Sequence, residues 1–334
     1  MTRRRELAVA TGLVLALLQR ASLAQPAHRM RRIGFLSLGK NESEVAQIGQ
    51  VMLYESLRRS GWEDGRNLVI ERRSAEGDVA RLTLLAEDLV RLDLELIVAA
   101  LNPAVTAAMR ATRTVPIVMI AATHPVETGF VETLARPGGN ITGTALEGSK
   151  LFAKSMQILH ELAPGRTRIA VLSGPAGPGF EQTAQGHRDQ AMHLLQPLGM
   201  TVQYFSVRQA SEISDVLQQI AATRAEVLMV TNSGVTEPRW REITSFAIQN
   251  KILSLGSATL FTSVGGAMYY GSNLQDIIDR SVSFVDRILR GAKPADLPVE
   301  LPTRYDLILN LKALRAIGVT PPRSVLLQAS EVIE

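Results

Sequence analysis

The stretch "PIVMIAATHPVETGFVETLARPGGNITG" (residues 116–143) joins an apolar run to a loop that is rich in glycine and proline and carries one histidine. Its first six residues, 116–121, are typical of a buried β-strand. Three similar runs precede it, and helical patterns near residues 43–60, 79–92 and 104–112 lie between the runs. The earlier runs are "IGFLSL" (33–38), "LVIERR" (68–73) and "ELIVAA" (95–100). This alternation predicts βαβ units that build a parallel sheet.

The same alternation begins again after Gly143. The strand-like runs "RIAVLS", "TVQYFSV", "EVLMVT" and "ILSLG" are separated by helical patterns near residues 181–196, 211–223 and 236–250. A further run, "GAMYYG", leads to a strongly periodic helix at residues 273–290 and then to the Pro-rich "KPADLP". We therefore predict two successive doubly wound domains, with the chain crossing back between them through several parallel connecting strands that act as a hinge.

The N-terminal segment has the features of a secretory signal peptide. Three arginines (residues 3–5) precede an apolar run of 12 residues, and residues 22–24 place small side chains at the −3 and −1 positions of a cleavage site. The run is shorter than the ~20 residues that span a bilayer. An uncleaved membrane anchor is the alternative, and "TRRREL" partly resembles a twin-arginine signal, which leaves the export route open. We predict that residues 1–24 are removed and that the protein is periplasmic.

Composition excludes several classes of function. The chain has 334 residues, 46% of them hydrophobic and 20% charged, and its mean hydropathy is +0.09, as expected for a globular protein. The predicted signal peptide carries four arginines and one glutamate, so its removal lowers the formal net charge from +4 to about +1. A basic face for nucleic acid is therefore not expected. Cysteine is absent, which excludes disulfides, thiolate nucleophiles and cysteine-rich metal sites.

Nucleotide-binding and catalytic motifs are also missing. "GTALEGSK", which starts at Gly143, has the last two residues of a P-loop in swapped order, and we interpret it as the start of a helix. Neither "SLGKNESE" nor "GPAGPGF" has the glycine spacing of a dinucleotide-binding turn. The sequence contains no G-x-S-x-G elbow, and its five histidines lack metal-ligand spacing. We predict no cofactor, no metal and no enzymatic activity.

His124 follows the apolar run of the opening stretch, at the carboxyl end of a predicted strand, where open α/β sheets bind ligands. Contact with a ligand is the interpretation we prefer. An ordinary loop residue and a catalytic group are the alternatives, although the sequence offers no partner that would orient or use a catalytic histidine. Small polar residues recur at equivalent strand ends in both domains, which describes a cleft. They are Ser37, Asn102, Thr123, Ser173, Asn232 and Ser257.

Four segments together resemble the ABC transporter substrate-binding protein family, which includes proteins that bind tryptophan or tyrosine. The resemblance runs from about Arg32 to the C-terminus, and the combination of P-I-V, [DH]-P-V, R-P-G-G-N-x-T-G and N-L-K-A is more specific than any one piece. The segments are "SGWEDGRNLVIERRSAEGD", "VPIVMIAATHPVETGFVETLARPGGNITG", "DRILRGAKPADLPVE" and "DLILNLKALRAIGV".

The resemblance implies a periplasmic binding protein of type I, with two doubly wound parallel-sheet lobes that close on a ligand about a multi-strand hinge. Lobe 1 would comprise residues 31–144 plus 271–300, and lobe 2 residues 145–270 plus 301–330. The protein would be the monomeric extracytoplasmic component of an ABC importer and deliver a small molecule to a permease and an ATPase. A sensor that signals to a membrane receptor is the alternative.

The chain departs from the family's pattern where the ligand is expected. His124 replaces a usual aspartate, Asn102 stands where a threonine is common, and Asn232 replaces an acidic residue. A desolvated ammonium group needs carboxylate or carbonyl partners. We therefore hypothesise that the ligand is neutral or anionic rather than an ordinary zwitterionic amino acid, for example an aromatic carboxylate stacked on Phe180 or Tyr269 with hydrogen bonds from His124 or Asn102. Alternatively, other residues or backbone carbonyls hold an ammonium group.

Overall fold

The computed structural model describes residues 30–39, 43–174 and 195–334. The predicted signal peptide, Phe180 and most of the predicted helix at 181–196 lie outside these residues. The strands, in chain order, are β1 (Arg31–Ser37), β2 (Leu68–Ser74), β3 (Leu96–Ala100), β4 (Ile117–Thr123), β5 (Ile141–Leu146), β6 (Arg168–Ser173), β7 (Thr201–Ser206), β8 (Val227–Val230), β9 (Leu253–Gly256), β10 (Met268–Ser272), β11 (Tyr305–Asn310) and β12 (Glu331–Ile333). The helices within the described residues, in chain order, are α1 (Glu44–Arg59), α2 (Val79–Val90), α3 (Leu101–Ala111), α4 (Gly148–Leu162), α5 (Ile213–Ala222), α6 (Trp240–Gln249), α7 (Leu260–Ser263), α8 (Leu274–Leu289), α9 (Leu311–Ala316) and α10 (Arg323–Leu326).

The first sheet is wholly parallel and has the strand order β2-β1-β3-β4-β5. Helices α2 and α3 cover one face, where Leu89 and Val105 are buried against the strands. Helices α1 and α8 cover the other face through Leu57 and Phe284. Because the order reverses between β1 and β3, the sheet has a topological switch point at the carboxyl ends of these strands. We refer to this sheet and its four helices as lobe 1.

The second sheet has the order β12-β11-β10-β9-β8-β6-β7, in which β6 to β10 repeat the arrangement of lobe 1. Helices α4, α9 and α10 cover one face of this sheet, and α5, α6 and α7 cover the other. Strand β11 runs antiparallel to β10. Its segment is not among the strand-like runs that the sequence pattern predicts. We refer to this sheet and its six helices as lobe 2. The two doubly wound sheets confirm the predicted fold class.

Three passes of the described chain connect the lobes: one after β5, one after β10 and one before β11. The last pass runs beside β5, where Glu300 exchanges backbone hydrogen bonds with Gly143 (3.0 Å) and Ala145 (2.9 Å). The second and third passes meet where the Asn273 backbone N–H donates to the carbonyl of Arg304 at 2.9 Å. The passes thus lie side by side, and they form the hinge.

Ion pairs fix the third pass to lobe 1. On α8, Arg280 donates to Glu300 Oε2 at 3.0 Å and to Thr303 Oγ1 at 2.8 Å, and it pairs with Asp276 at 3.2 Å. The Asp276 carboxylate also accepts from the Thr303 backbone N–H at 2.9 Å. Burial alone would raise the pKa of Asp276, but these hydrogen bonds outweigh it and hold the pKa of the carboxyl below its usual range.

Candidate cleft between the lobes

The carboxyl-terminal edges of the two sheets meet at two glycines. A Cβ atom built on Gly234, which follows β8, would lie 3.4 Å from the Cα of Gly77, which follows β2. A turn of lobe 1 and a turn of lobe 2 therefore approach each other so closely that a single added methyl group would span the gap between them. The strand ends on both sides therefore face each other across a narrow space, and we refer to this space as the cleft.

Ser37 ends β1 on the lobe 1 side of the cleft. Its carbonyl accepts from the Ala75 backbone N–H at 3.0 Å, and the carbonyl of Leu38 accepts from the Gly77 N–H at 2.7 Å. The Ser74 hydroxyl adds a bond to the carbonyl of Gly39. These bonds hold the turns after β1 and β2 against each other on the lobe 1 side of the cleft.

Asn102 has a structural role in lobe 1. It is 9% exposed, its Nδ2 donates to the Thr123 carbonyl at 2.9 Å, and its Oδ1 accepts from the Thr123 N–H at 2.8 Å. Both ends of the amide are thus engaged with the backbone of β4. The amide of Asn102 joins the end of β4 to the start of α3, and this structural role is the one that the hydrogen bonds show for Asn102.

The neighbouring Leu101 is the side chain that α3 presents at this edge. It is 49% exposed, and its φ of +65° is unusual for a leucine. Val126, in the loop after β4, is 40% exposed. These two apolar side chains give lobe 1 an apolar surface at the ends of β3 and β4. The sequence carried no signal for them, because a leucine or valine beside a strand is indistinguishable from a core residue.

His124 lies where the chain approaches the first pass of the hinge. A Cβ atom built on Gly148, the first residue of α4, would lie 3.5 Å from the imidazole Nε2. His124 has a φ of +52°, and its carbonyl accepts from both the backbone N–H and the hydroxyl of Thr128 at 2.9 Å. Ala121, three residues earlier, has a φ of +55°. Strained backbone of this kind clusters at ligand sites, so the position of His124 agrees with a role in the cleft.

Asn232 carries an unused acceptor on the lobe 2 side. Its backbone N–H donates to Ser257 Oγ at 2.6 Å, which fixes the start of the loop after β8. Its side-chain Oδ1 is buried from solvent, and no donor of the described residues reaches it. Desolvating an acceptor without a partner costs about 1–3 kcal/mol. A ligand that donates a hydrogen bond to Asn232 Oδ1 would recover that cost.

The loop beyond Asn232 is held by its own side chains. The backbone N–H of Ser233 donates to Thr236 Oγ1 and that of Thr236 donates to Ser233 Oγ, both at 3.1 Å, and the two hydroxyls lie 3.0 Å apart. Ser173, at the end of β6, is half-buried and directs its hydroxyl toward the Phe205 carbonyl at 3.4 Å. Gly174, which follows it, packs against Ser233, since a Cβ there would lie 2.3 Å from Ser233 Oγ. The ends of β6 and β8 thus form one preformed wall.

Tyr269 is buried within β10. It is 5% exposed, its hydroxyl donates to the Ser272 carbonyl at 3.0 Å, and burial raises the pKa of its phenol. The expectation that a ligand stacks on Tyr269 is therefore corrected, because the ring belongs to the core and its hydroxyl is already engaged. The exposed aromatic side chain near the hinge is instead Tyr305, which is 42% exposed and stacks on Tyr270 with ring centroids 6.2 Å apart.

Two further features bear on the function. Within residues 30–39, 43–174 and 195–334, no group of three or more side chains is arranged to hold a metal ion. No helix in this part of the chain is both long enough and apolar enough to cross a bilayer.

Comparison with known proteins places this cleft in context. A curated tyrosine-binding protein of Clostridioides difficile is 25% identical over 292 residues, which are 87% of this chain and 82% of the relative. A conserved domain protein of Vibrio cholerae has a structure that matches with a TM-score of 0.81 at 23% identity, over 91% of this chain and 100% of the other. The structure of a Streptococcus pneumonia ABC domain in complex with L-Trp matches with a TM-score of 0.79 at 24% identity, over 91% and 99%.

These two structures share the fold of this chain, with two α/β lobes of the periplasmic binding protein type. The profile of the family described as ABC transporter substrate binding protein matches residues 49–333. That match includes both sheets except β1, and it includes the hinge and most of the cleft. The chain therefore belongs to the ABC transporter substrate-binding protein family.

Proposed function

We propose that this protein is the extracytoplasmic solute-binding component of an ABC importer, and that it captures a small aromatic, carboxylate-bearing molecule in the cleft. The observation that carries the proposal is the close approach of the turns at Gly77 and Gly234, which lie at the carboxyl ends of the two doubly wound sheets. In open α/β sheets these ends are where ligands bind. A ligand enclosed there would be held by both lobes at once.

The side chains at the cleft favour a ligand with an apolar body and few polar groups. Leu101 and Val126 offer exposed apolar surface on lobe 1, and Asn232 Oδ1 offers an unused acceptor on lobe 2. A tyrosine-binding relative and a neighbour in complex with L-Trp support an aromatic ligand. The donor that Asn232 accepts from is either an ammonium group or a hydroxyl. Ser37, Thr123, His124, Ser173 and Ser257 complete the set of proposed contacts.

Binding would favour the closed arrangement of the lobes, because only that arrangement lets one molecule contact both walls. A membrane permease and its ATPase would then recognise the closed form. We further propose that residues 1–24 are removed when the protein is exported to the periplasm. In this proposal lobe 1 comprises residues 31–144 plus 271–300, and lobe 2 comprises residues 145–270 plus 301–330.

Thermal unfolding of residues 25–334 in the presence of single compounds tests the proposal. The panel contains L-tyrosine, L-tryptophan, aromatic acids, aliphatic amino acids, short peptides, sugars and nucleosides. A ligand at 100 times its Kd adds about 2.7 kcal/mol to the free energy of unfolding, which raises Tm by a few degrees. We expect a shift with aromatic compounds that bear a carboxylate. A shift confined to sugars or nucleosides would contradict the ligand class and leave the binding role intact.

A further inference from the structure

Arg72 is held in an unusual environment on lobe 1. Its guanidinium carbon lies 5.3 Å from the centroid of the Phe35 ring and 5.6 Å from that of Tyr54. Its Nη1 is 3.3 Å from the Tyr54 hydroxyl. The two rings fix the guanidinium in place by cation–π contact. The other N–H groups of the Arg72 guanidinium donate to no acceptor among the described residues.

Arg72 differs in this respect from the six other described arginines of intermediate exposure. Five of these pair with carboxylates: Arg31, Arg73, Arg239, Arg280 and Arg287. A sixth, Arg166, donates to the backbone carbonyls of Glu226, Lys251 and Ile317. Arg72 alone has neither kind of partner within the described residues. A half-buried guanidinium in this state is poised to accept an anion from outside the chain.

The strand register places Arg72 near the cleft. Ser37 pairs with Ser74 at the carboxyl ends of β1 and β2, and Phe35 pairs with Arg72 two residues earlier. Because side chains alternate along a strand, Arg72 and Ser74 lie on the same face of the sheet. The charged group is therefore on the α1 side of lobe 1, one side-chain repeat from the cleft edge.

The Tyr54 side chain, which holds the Arg72 guanidinium, leans toward the cleft edge of lobe 1. Helical side chains lean toward the N-terminal end of their helix. Helix α1 begins after the carboxyl end of β1 and runs back along it, so the Tyr54 side chain leans toward the cleft edge. Because the Tyr54 hydroxyl lies 3.3 Å from Arg72 Nη1, we expect the guanidinium to be displaced toward the same edge.

We propose that Arg72 binds the carboxylate of the cleft ligand, with Phe35 and Tyr54 holding the guanidinium in position. This inference rests on the proposed function and specifies its ligand. Lobe 1 supplies the cation for the carboxylate, and Asn232 on lobe 2 accepts from the ligand's donor group. A simple packing role for Arg72 predicts something different, namely that its replacement changes stability and leaves ligand preference alone.

Four compounds that share one ring separate these groups by isothermal titration calorimetry on residues 25–334. L-Tyrosine has a carboxylate and an ammonium, 3-(4-hydroxyphenyl)propanoate has the carboxylate, tyramine has the ammonium, and 4-ethylphenol has neither. Arg72→Gln is expected to weaken binding of the two carboxylates at least tenfold and to leave tyramine unchanged. Arg72→Lys keeps the charge and should recover only part of the loss. Arg73→Gln, on the same strand with its own carboxylate partners, is the matched control and should bind like the wild type.

Equal binding of all four compounds by Arg72→Gln and the wild type would overturn the proposal. If the wild type binds none of them, the proposed ligand class fails, and Arg72 is then judged by a separate measurement. Its guanidinium NMR signal, assigned by its loss in Arg72→Lys, is followed while benzoate or benzylamine is added to the wild type. A shift with benzoate alone supports an anion site, and an unchanged signal refutes it. The same measurement decides the matter if Arg72→Gln does not fold.

Discussion

The amide of Asn102 shows how one buried side chain sets the shape of the cleft. Both of its hydrogen bonds go to the backbone of Thr123, immediately before His124. We expect Asn102→Ala to lower the free energy of unfolding by roughly 1–3 kcal/mol, because the buried N–H and C=O of Thr123 lose their partner. Urea denaturation without any ligand measures this loss.

Arg110→Ala, on an exposed position of the same helix, is the control and should stay within about 0.5 kcal/mol of the wild type. His124→Ala should behave differently from both, with folding intact and ligand binding weakened. A fully stable Asn102→Ala protein with poor ligand binding would contradict the structural role and return Asn102 to the set of ligand contacts.

At the scale of single elements, β5 depends on Gly143. This residue has a φ of +133°, and a Cβ built on it would lie 2.2 Å from the carbonyl oxygen of Met119 in β4. Gly143→Ala should therefore destabilise the protein by at least about 2 kcal/mol, since backbone must move to accommodate the methyl group. Gly139→Ala is the matched control, because no atom lies within 4 Å of its Cβ position. Similar unfolding midpoints for the two variants would show that β4 and β5 can separate without cost.

The contacts of Asp276 with the third pass of the hinge make the free energy of unfolding depend on pH in the acidic range. The folded-state pKa of Asp276 is lowered, so its contribution to stability is present above the unfolded-state pKa of about 4 and is lost as pH falls through the folded value. Asp276→Asn removes the charge that Arg280 and the Thr303 N–H contact. The difference in free energy of unfolding between wild type and Asp276→Asn should thus be larger at pH 7 than at pH 2. A difference that does not change with pH would show that the carboxylate is not selectively stabilised in the fold.

The sequence predicts which segments form strands far better than it predicts which strands pair with each other. The runs that start at Ile33, Leu96 and Ile117 are recognisable because strands buried on both faces are continuously apolar. The sequence pattern does not predict β11 as a strand, and its antiparallel direction follows from the return of the chain through the hinge. Such pairing is a long-range property that no local pattern contains.

The side chains of the candidate site are likewise only partly predictable from the local sequence. Ser37 and Asn232 lie at or just beyond strand ends, where the sequence places them, but the burial of Asn102 and its bonds to Thr123 have no sign in the local sequence. Tyr269 is buried because of the face of β10 on which it lies. The sequence does not single out Arg72 as a ligand contact, because an arginine in a strand gives no sign of whether a carboxylate lies beside it.

For the whole molecule, we expect the glycines where the two lobes approach each other, Gly77 and Gly234, to limit how far the cleft can close. Gly234→Ala adds a methyl group 3.4 Å from Gly77, which is at the edge of ordinary contact, and should close almost normally. Gly234→Leu adds three more carbon atoms where the turn of lobe 1 lies, and it should hold the lobes apart. Small-angle X-ray scattering of residues 25–334 should then give a larger radius of gyration for Gly234→Leu than for the wild type.

Binding should weaken in proportion to the fraction of molecules that can still close, because the apparent Kd is the intrinsic value divided by that fraction. Gly165→Leu provides the control, since it places the same side chain on lobe 2 where no atom lies within 4 Å of the Cβ position. If Gly234→Leu scatters and binds like this control, the lobes close by a route that does not bring Gly77 against Gly234. If Gly234→Leu is expanded while Gly165→Leu is not, the two turns are the stop that defines the closed cleft, and the ligand must fit the space that this stop leaves.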